Sequence, residues 1–232
     1  MIYRKFRIAE ESASLQYAKE HLEKLGWCHD KNARYLLLPV PTKSDYKDRL
    51  RCDTVVIGGN LKTGTYGDRK CVDLLQDPLY LAENAKITAY CAVKYALERL
   101  PVIVDRCPVL IIGWGRIGKC LGQLFKKMGA DVTIYARKPT DRAALMSLGY
   151  QALDSLEDLE RYRLIINTAP AMLLSPGVLC DRQIKIDLAS TPGIPGEDVI
   201  WARGLPGKEA PETSGKLIAR TALRLTKERS KL

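Results

Sequence analysis

Apolar residues recur with helical spacing in three long segments of the chain. The first runs from Ile8 to Leu25 with Glu and Lys between its apolar positions, and it stops at Gly26. The second, Leu79 to Leu100, carries a face of small residues and is closed by Pro101. The third runs from Thr213 to Leu225. These segments predict an amphipathic surface helix, a long and tightly packed helix, and a C-terminal helix.

Two short apolar runs lie between the first two helices. Tyr35 to Val40 ends at prolines, and Thr54 to Ile57 meets Gly58 and Gly59. Together with the first helix, these runs predict a small α/β unit before residue 75.

Strand-like and helix-like segments alternate in the second half of the chain. Such alternation with short connections indicates parallel strands joined by crossover helices. The predicted strands are Val109–Ile112, Val132–Ala136, Leu164–Asn167 and Ile184–Leu188, and the predicted helices are Arg116–Met128, Asp141–Leu148 and a short one after Ser155.

A glycine motif marks the first strand-to-helix turn of this half. Gly113, Gly115 and Gly118 have GxGxxG spacing, and they follow a β-branched run and open a helical apolar pattern. The first glycine permits a tight turn, the second lets the backbone approach a pyrophosphate, and the third lets helix and strand pack closely. A purely structural turn is the alternative. The candidate cofactor residues here are Gly113, Trp114, Gly115, Arg116, Ile117 and Gly118.

The fold class that follows is α/β, with a C-terminal Rossmann-type parallel sheet domain and a smaller N-terminal α/β domain. We expect residues 1–100 to form the smaller N-terminal domain and to end in the long helix. Residues 101–232 are expected to form the dinucleotide-binding domain, including the C-terminal helix.

The end of the second predicted Rossmann strand favours NADP over NAD. An acidic residue about 20 positions after the glycines would hold the ribose hydroxyls of NAD. This chain has Ala136, Arg137 and Lys138 there, and the two cations suit a 2′-phosphate. A solvated basic turn is the alternative.

Small and hydroxyl residues follow two further strands. Ligands of open α/β sheets bind outside the carboxyl ends of the strands, so these residues are candidates to lie near the nicotinamide. They could equally be turn formers. The candidates are Thr168, Ala169, Pro170, Leu188, Ala189 and Ser190.

Composition bears on partners and compartment. Lys and Arg outnumber Asp and Glu by 37 to 27, which favours anionic ligands, but no dense basic block or aromatic platform suggests nucleic acid. The seven cysteines form no CxxC pair and are typical of a reducing cytosol, and with two histidines we expect no metal. The charged N-terminus and the lack of a long apolar run predict a cytoplasmic protein without a membrane span.

Candidate acids and bases are few. Lys43 and Lys62 are cations that could face an anionic substrate, although both could be plain surface lysines. Thr213 and Ser214 follow a Gly/Pro-rich loop and begin the last helix, where a carboxylate could bind.

The chain resembles one family, that of the dipicolinate synthase A subunits, in several blocks. These are LLLPVPT from Leu36, the helix stretch with Asn84, Thr88, Ala89 and Ala92, IIGWGRIGK from Ile111, INTAP from Ile166, DLASTPG from Asp187, and GLPGKEAPETSG from Gly204. The resemblance implies oxidation of a dihydrodipicolinate-type ring to pyridine-2,6-dicarboxylate during sporulation, with NADP as hydride acceptor. It also implies that residues 1–100 are the substrate-side domain and that the long helix links this domain to the Rossmann-type domain. A flavoprotein-like second subunit is implied as well.

Combining both lines, we expect a small dicarboxylate substrate and a homo-oligomer. The candidate catalytic residues are Lys43, Asn84, Thr88, Thr213 and Ser214. Two alternatives remain open, because a fold does not choose a substrate. One is an NADP-dependent dehydrogenase of another small molecule, and the other is a catalytically silent NADP-binding subunit.

Overall fold

A computed structural model describes residues 4–43, 45–62 and 64–228. The chain divides into two compact units. The first combines Met1–Ile87 with Pro206–Leu232, and the second is the continuous segment Thr88–Leu205.

The described residues form parallel strands interleaved with helices. In chain order the elements are β1 (Lys5–Ile8), α1 (Ala13–Lys24), β2 (Cys28–His29), β3 (Tyr35–Leu37), β4 (Val55–Gly58), β5 (Cys71–Asp73), α2 (Pro78–Leu97), β6 (Pro108–Ile112), α3 (Arg116–Lys127), β7 (Asp131–Tyr135), α4 (Pro139–Ser147), β8 (Gln151–Leu153), β9 (Leu164–Asn167), β10 (Ile184–Asp187), β11 (Ile200–Trp201), α5 (Leu205–Glu209) and α6 (Pro211–Glu228). Short 3₁₀ turns occur at Lys47–Arg49, Leu74–Gln76 and Leu159–Arg161.

The first unit is built on a parallel sheet in the order β2-β1-β3-β4-β5. Leu36 pairs with Val56 and Leu37 pairs with Ile57, so successive residues of β3 and β4 face opposite sides. Leu37 and Ile57 pack in a cluster with residues of α1 and α6, whereas Leu36 and Val56 pack with Tyr46 on the other side. Burial on both faces explains the continuous apolar runs of these strands.

The C-terminal helix belongs to this first unit, which corrects the predicted division of the chain. α6 packs along α1, and its Leu217, Ile218 and Ala222 join the core around Phe6. A Cβ on Gly215 would collide with the backbone of α1, so glycine permits the close approach of the two helices. The amphipathic pattern of α6 predicted a helix but could not identify the sheet that it covers.

The boundary between the units also differs from the predicted one. It falls between Ile87 and Thr88, inside α2, rather than at residue 100. The start of α2 is fixed by Asp77, whose carboxylate accepts the backbone N–H of Tyr80 at 2.7 Å, with Pro78 at the first helical position.

The second unit is a Rossmann-type parallel sheet in the order β11-β10-β9-β6-β7-β8. The predicted α/β class is confirmed, and β9 has its predicted bounds. The chain runs outward from β6 through β7 to β8, then returns to β9 and continues to β11. The sheet therefore has a switch point between β6 and β9, at the carboxyl ends of these two strands, where ligands of such folds bind.

Three local predictions need correction. Helix α1 begins at Ala13 rather than Ile8, because Lys5–Ile8 forms a strand between β2 and β3. The helix expected after Ser155 is only the 3₁₀ turn at Leu159–Arg161. The segment from Gly204 to Pro211, expected to be a loop, contains the short helix α5.

Candidate functional site

The turn between β6 and α3 has the conformation that the glycine motif requires. Gly113 has φ of 105°, a region that favours glycine, and a Cβ there would lie 2.6 Å from Oγ1 of Thr168. That hydroxyl donates to the Ile112 carbonyl oxygen at 3.0 Å, and the backbone N–H of Thr168 donates to the same oxygen at 2.9 Å. Thr168 thus ties the end of β9 to the glycine turn.

Gly115 and Gly118 have different roles. A Cβ on Gly118 would collide with the Gly113 carbonyl oxygen, so this glycine is required by packing. A Cβ on Gly115 would meet no atom of the described residues within 4 Å, so packing in the described structure does not require glycine there. A bare backbone beside open space, at the start of a helix whose first amides lack intrahelical acceptors, is suited to a pyrophosphate.

A cavity of about 510 Å³ lies at the switch point and joins three groups of predicted cofactor residues. It is large enough for part of a dinucleotide. The lining comprises Gly113, Trp114, Gly115, Tyr135, Ala136, Arg137, Lys138, Asp141, Thr168, Ala169, Pro170, Ala171 and Leu173. The residues present therefore fit a nicotinamide dinucleotide.

The part of this cavity that follows β7 combines two cations and one acid. Arg137 and Lys138 line it, as does Asp141 in the first turn of α4. The Arg142 guanidinium holds the backbone here, since it donates to the carbonyl oxygens of Ala136 at 3.0 Å and Arg137 at 2.9 Å. Asp141 was missed by the sequence interpretation, although its place just after the basic pair was a usable signal.

Trp114 is fixed at the edge of the cavity by neighbours from the same unit. Its ring meets that of Tyr150 edge-on, with centroids 5.7 Å apart, and the Lys119 ammonium lies 5.7 Å from the Trp114 ring centre. Burial raises the pKa of the Tyr150 phenol. The Trp114 ring is therefore held in a defined position by Tyr150 and Lys119.

A buried polar pair orders the loops that follow β9 and β10. Asn167 and Asp187 are 1% and 0% exposed, and Nδ2 of Asn167 donates to Oδ1 of Asp187 at 3.0 Å. The Asp187 carboxylate also accepts the backbone N–H groups of Ala189, Gly193 and Ile194. Asn167 in turn bonds both the N–H and the carbonyl of Ala169. This network shapes the loop that carries the Ala169 side of the cavity.

The predicted residues after β10 lie outside the lining of the cavity. Leu188 and Ala189 are buried, and Ser190 is exposed. The Ala189 carbonyl accepts the indole N–H of Trp201 at 3.2 Å, and the Ser190 carbonyl accepts from the Arg203 guanidinium. Arg116 and Ile117 start α3 beside the glycine turn without lining the cavity.

The predicted catalytic residues lie on two helices and one loop. Lys43 is exposed after β3, and Asn84 and Thr88 are one helical turn apart on α2. Thr213 is exposed and Ser214 buried in the first turn of α6. Their catalytic roles stay predictions.

The glycine turn, the parallel sheet and the cavity at its switch point define a dinucleotide-binding domain of the dehydrogenase type. Residues 96–185 match the sequence profile described as D-isomer specific 2-hydroxyacid dehydrogenase, NAD binding domain. This match supports a nicotinamide cofactor and oxidoreductase chemistry.

A more particular likeness covers most of the chain. The chain is 27% identical over 208 residues to the A subunit of dipicolinate synthase from Bacillus subtilis (strain 168). The alignment covers 82% of this chain and 70% of that protein. The resemblance predicted from the sequence blocks is thereby confirmed.

Solved structures of that type of subunit have the same fold. The one from Bacillus halodurans superposes with a TM-score of 0.84 at 20% identity, covering 97% of this chain and 98% of the other. The one from Bacillus subtilis superposes with a TM-score of 0.83 at 20% identity, covering 100% of this chain and 99% of the other. Within the described part of the chain, no helix has the length and apolar character needed to cross a membrane.

Proposed function

We propose that this chain is an NADP-dependent oxidoreductase subunit that oxidises a dihydrodipicolinate-type substrate to dipicolinate during sporulation. One observation carries the proposal: a single cavity joins the glycine turn, the basic pair Arg137 and Lys138, and the end of β9. The likeness to the A subunit of dipicolinate synthase supports the choice of substrate.

The proposed reaction removes two hydrogens from the ring. The substrate would lose one ring hydrogen as hydride, to NADP⁺ held by the glycine turn and the basic pair, and a second as a proton, to a base. The new double bond completes the aromatic pyridine-2,6-dicarboxylate. Bound nicotinamide supplies the hydride-accepting chemistry, and the protein supplies binding and orientation.

NADP is preferred over NAD in this proposal because Arg137 and Lys138 can both bond a 2′-phosphate. Asp141 lines the same end of the cavity and repels that phosphate, so the preference depends on the cations outweighing one carboxylate. The proposal therefore predicts a preference that mutation can shift in either direction.

The substrate is a dianion, and cationic or amide groups suit its carboxylates. Lys43, Asn84, Thr88, Thr213 and Ser214 are the residues proposed to contact it. Self-association of the chain in the cytoplasm and a flavoprotein-like second subunit complete the proposal.

The test is NADP⁺ reduction by the purified protein, with and without the second subunit, on freshly generated product of dihydrodipicolinate synthase. The expected result is formation of NADPH and dipicolinate in equal amounts. The comparison with and without the partner shows whether the second subunit is required.

Two other outcomes separate the competing functions. NADPH formed from a different small substrate, without dipicolinate, would establish another dehydrogenase. The family match to 2-hydroxyacid dehydrogenases makes 2-hydroxy acids the first substrates to try. Cofactor binding without turnover under every condition would instead indicate a silent regulatory subunit.

A further inference from the structure

A second cleft lies at the opposite end of the Rossmann-type sheet from the cofactor cavity. It opens beside Pro108, where β6 begins, whereas the cofactor cavity lies beside Gly113, just after β6 ends. Its volume is about 470 Å³, a size typical of small-molecule sites. The lining is Val102, Ile103, Asp105, Arg106, Cys107, Pro108, Glu160, Arg161, Tyr162, Arg163 and Arg182.

Arginine dominates the charge of this cleft. Four arginines and two acids, Asp105 and Glu160, face it. Within the described residues, none of these arginines forms an ion pair with a carboxylate, in contrast to Arg220 and Arg224 of the first unit. The cleft therefore carries a surplus of positive charge that the protein does not neutralise by pairing.

The contacts that the arginines do make are with uncharged groups. Arg161 donates to the Tyr162 hydroxyl at 2.6 Å and lies over the same ring, 4.8 Å from its centre. Arg182 donates to the Glu160 backbone carbonyl at 3.3 Å. These contacts fix the positions of the two guanidinium groups. Because a guanidinium has five N–H donors, each group still has donors available for a ligand.

Arg163 adds an unsatisfied group. Its Nε is buried and has no hydrogen-bond partner among the described residues, which is unfavourable. Arg106 is held at φ of 56°, which is uncommon outside glycine, so its position in the cleft is also maintained at some cost.

We propose that this cleft is a binding site for a small molecule carrying two or more negative charges, as carboxylates or phosphates. Planar guanidinium forks bond both groups bidentately, and several forks in one cleft select multivalent over monovalent anions. The exposed side chains of Val102 and Ile103 provide an apolar wall beside the charges. The site is independent of the dinucleotide cavity and does not rest on the proposed function.

The experiment is titration calorimetry at low salt with citrate, inorganic phosphate and, as monovalent control, acetate. Wild type is expected to bind citrate or phosphate at one site, and acetate at least about tenfold more weakly. Whichever of citrate and phosphate binds more tightly identifies the class of ligand. Absence of binding by both overturns the proposal.

Matched variants locate the binding. Arg161→Gln/Arg182→Gln removes two exposed cations from the cleft and is expected to weaken binding at least about tenfold. Lys24→Gln/Lys127→Gln removes the same charge from exposed positions of α1 and α3 outside the cleft and is expected to leave the affinity within about twofold. Unchanged affinity in Arg161→Gln/Arg182→Gln, or equal losses in both variants, would place the anion elsewhere and overturn the proposal.

Thermal unfolding shows whether the glutamine double variant is folded. If it is not, a double variant that preserves the charge keeps the test decisive. Arg161→Lys/Arg182→Lys retains the net charge but lacks the planar forks, so we expect binding several-fold weaker than wild type. Wild-type affinity in this variant would mean a diffuse electrostatic attraction rather than a built site.

Discussion

Asn167 and Asp187 stand directly opposite each other at the carboxyl ends of β9 and β10, joined by an amide-to-carboxylate hydrogen bond of 3.0 Å. Neither side chain is exposed to solvent beyond 1%. Every other partner described for the Asp187 carboxylate is a backbone N–H group of the following loop. The partners of this buried carboxylate indicate a structural role, in which it holds the backbone of the loop, rather than a catalytic one.

We therefore expect Asp187→Asn to destabilise the second unit by about 3 kcal/mol. The amide can offer only one acceptor oxygen where the carboxylate offers two, so N–H groups of Gly193 and Ile194 or of Ala189 lose their acceptor. Urea unfolding measures the loss. Asp181→Asn, at an exposed position of the same unit, is the control and should be neutral. Equal unfolding midpoints for wild type and Asp187→Asn would contradict the role assigned to this carboxylate.

Two alanine substitutions in the glycine turn should differ in their effects: one should lower NADPH affinity, and the other should lower stability. The methyl group of Gly115→Ala meets no neighbour within the described part of the chain, so stability should be unchanged. NADPH affinity should fall by about tenfold or more, because the methyl group occupies the approach of the pyrophosphate. Gly118→Ala forces the methyl onto the Gly113 carbonyl and should lower stability by about 1–3 kcal/mol.

Thermal unfolding without ligand and fluorescence titration with NADPH separate these effects. If Gly115→Ala bound NADPH as tightly as wild type, the glycine turn would not be holding the pyrophosphate.

Arg137→Ala should weaken NADPH binding by about tenfold while changing NADH binding by less than about twofold, since only NADPH carries the 2′-phosphate. Asp141→Asn should act in the opposite direction and tighten NADPH binding, because it removes a like charge from the same end of the cavity. Titrations with both dinucleotides make the comparison. Equal losses of NADPH and NADH binding in Arg137→Ala would refute the assignment of a 2′-phosphate site.

The Asp77–Arg224 pair predicts a dependence of stability on pH. Burial acts to raise the pKa of Asp77, but the hydrogen bonds from Arg224 at 2.6 Å and from the Tyr80 backbone outweigh it and lower the pKa. A carboxyl whose pKa is lower in the folded state stabilises the fold above its unfolded pKa of about 3.9, and this stabilisation is lost as pH falls through the folded value.

Asp77→Asn keeps a good helix N-cap and removes only the charge. We expect it to be about 1–2 kcal/mol less stable than wild type at pH 7 and nearly equal below about pH 3. Urea unfolding at the two pH values measures this. Glu212→Gln in α6 breaks an exposed pair with Lys216 and should change little at either pH. A difference that persists at low pH would mean that Asp77 acts by packing rather than by charge.

The sequence was most informative where local signals agree. β6, the glycine turn and α3 combine a β-branched run, turn glycines and helical periodicity, and they lie where predicted. β1 was missed because its Lys5 and Arg7 break the apolar pattern; in the fold they bond Asp30 and the Ala33 carbonyl, both in the loop between β2 and β3.

Long-range relationships were the part that the sequence could not supply. The cavity lining near Arg137 followed from its distance to the glycines, but the approach of Asp141 depends on how α4 leaves β7. Likewise, Asp187 looked like one more polar strand-end residue, and only the pairing of β9 with β10 shows that it is buried beside Asn167. The partner of α6 is a third case, since many sheets could accept the same apolar stripe.

The first unit depends on α6, which is translated after all of the second unit. Residues 88–205 form a continuous unit that can complete its sheet as it leaves the ribosome, whereas the first unit must wait for Leu217, Ile218 and Ala222. Until then the nascent sheet presents an unfilled apolar face around Phe6 and Leu15. The amino-terminal half is thus the last to mature during translation, and a ribosome that stops before α6 releases a chain prone to aggregate.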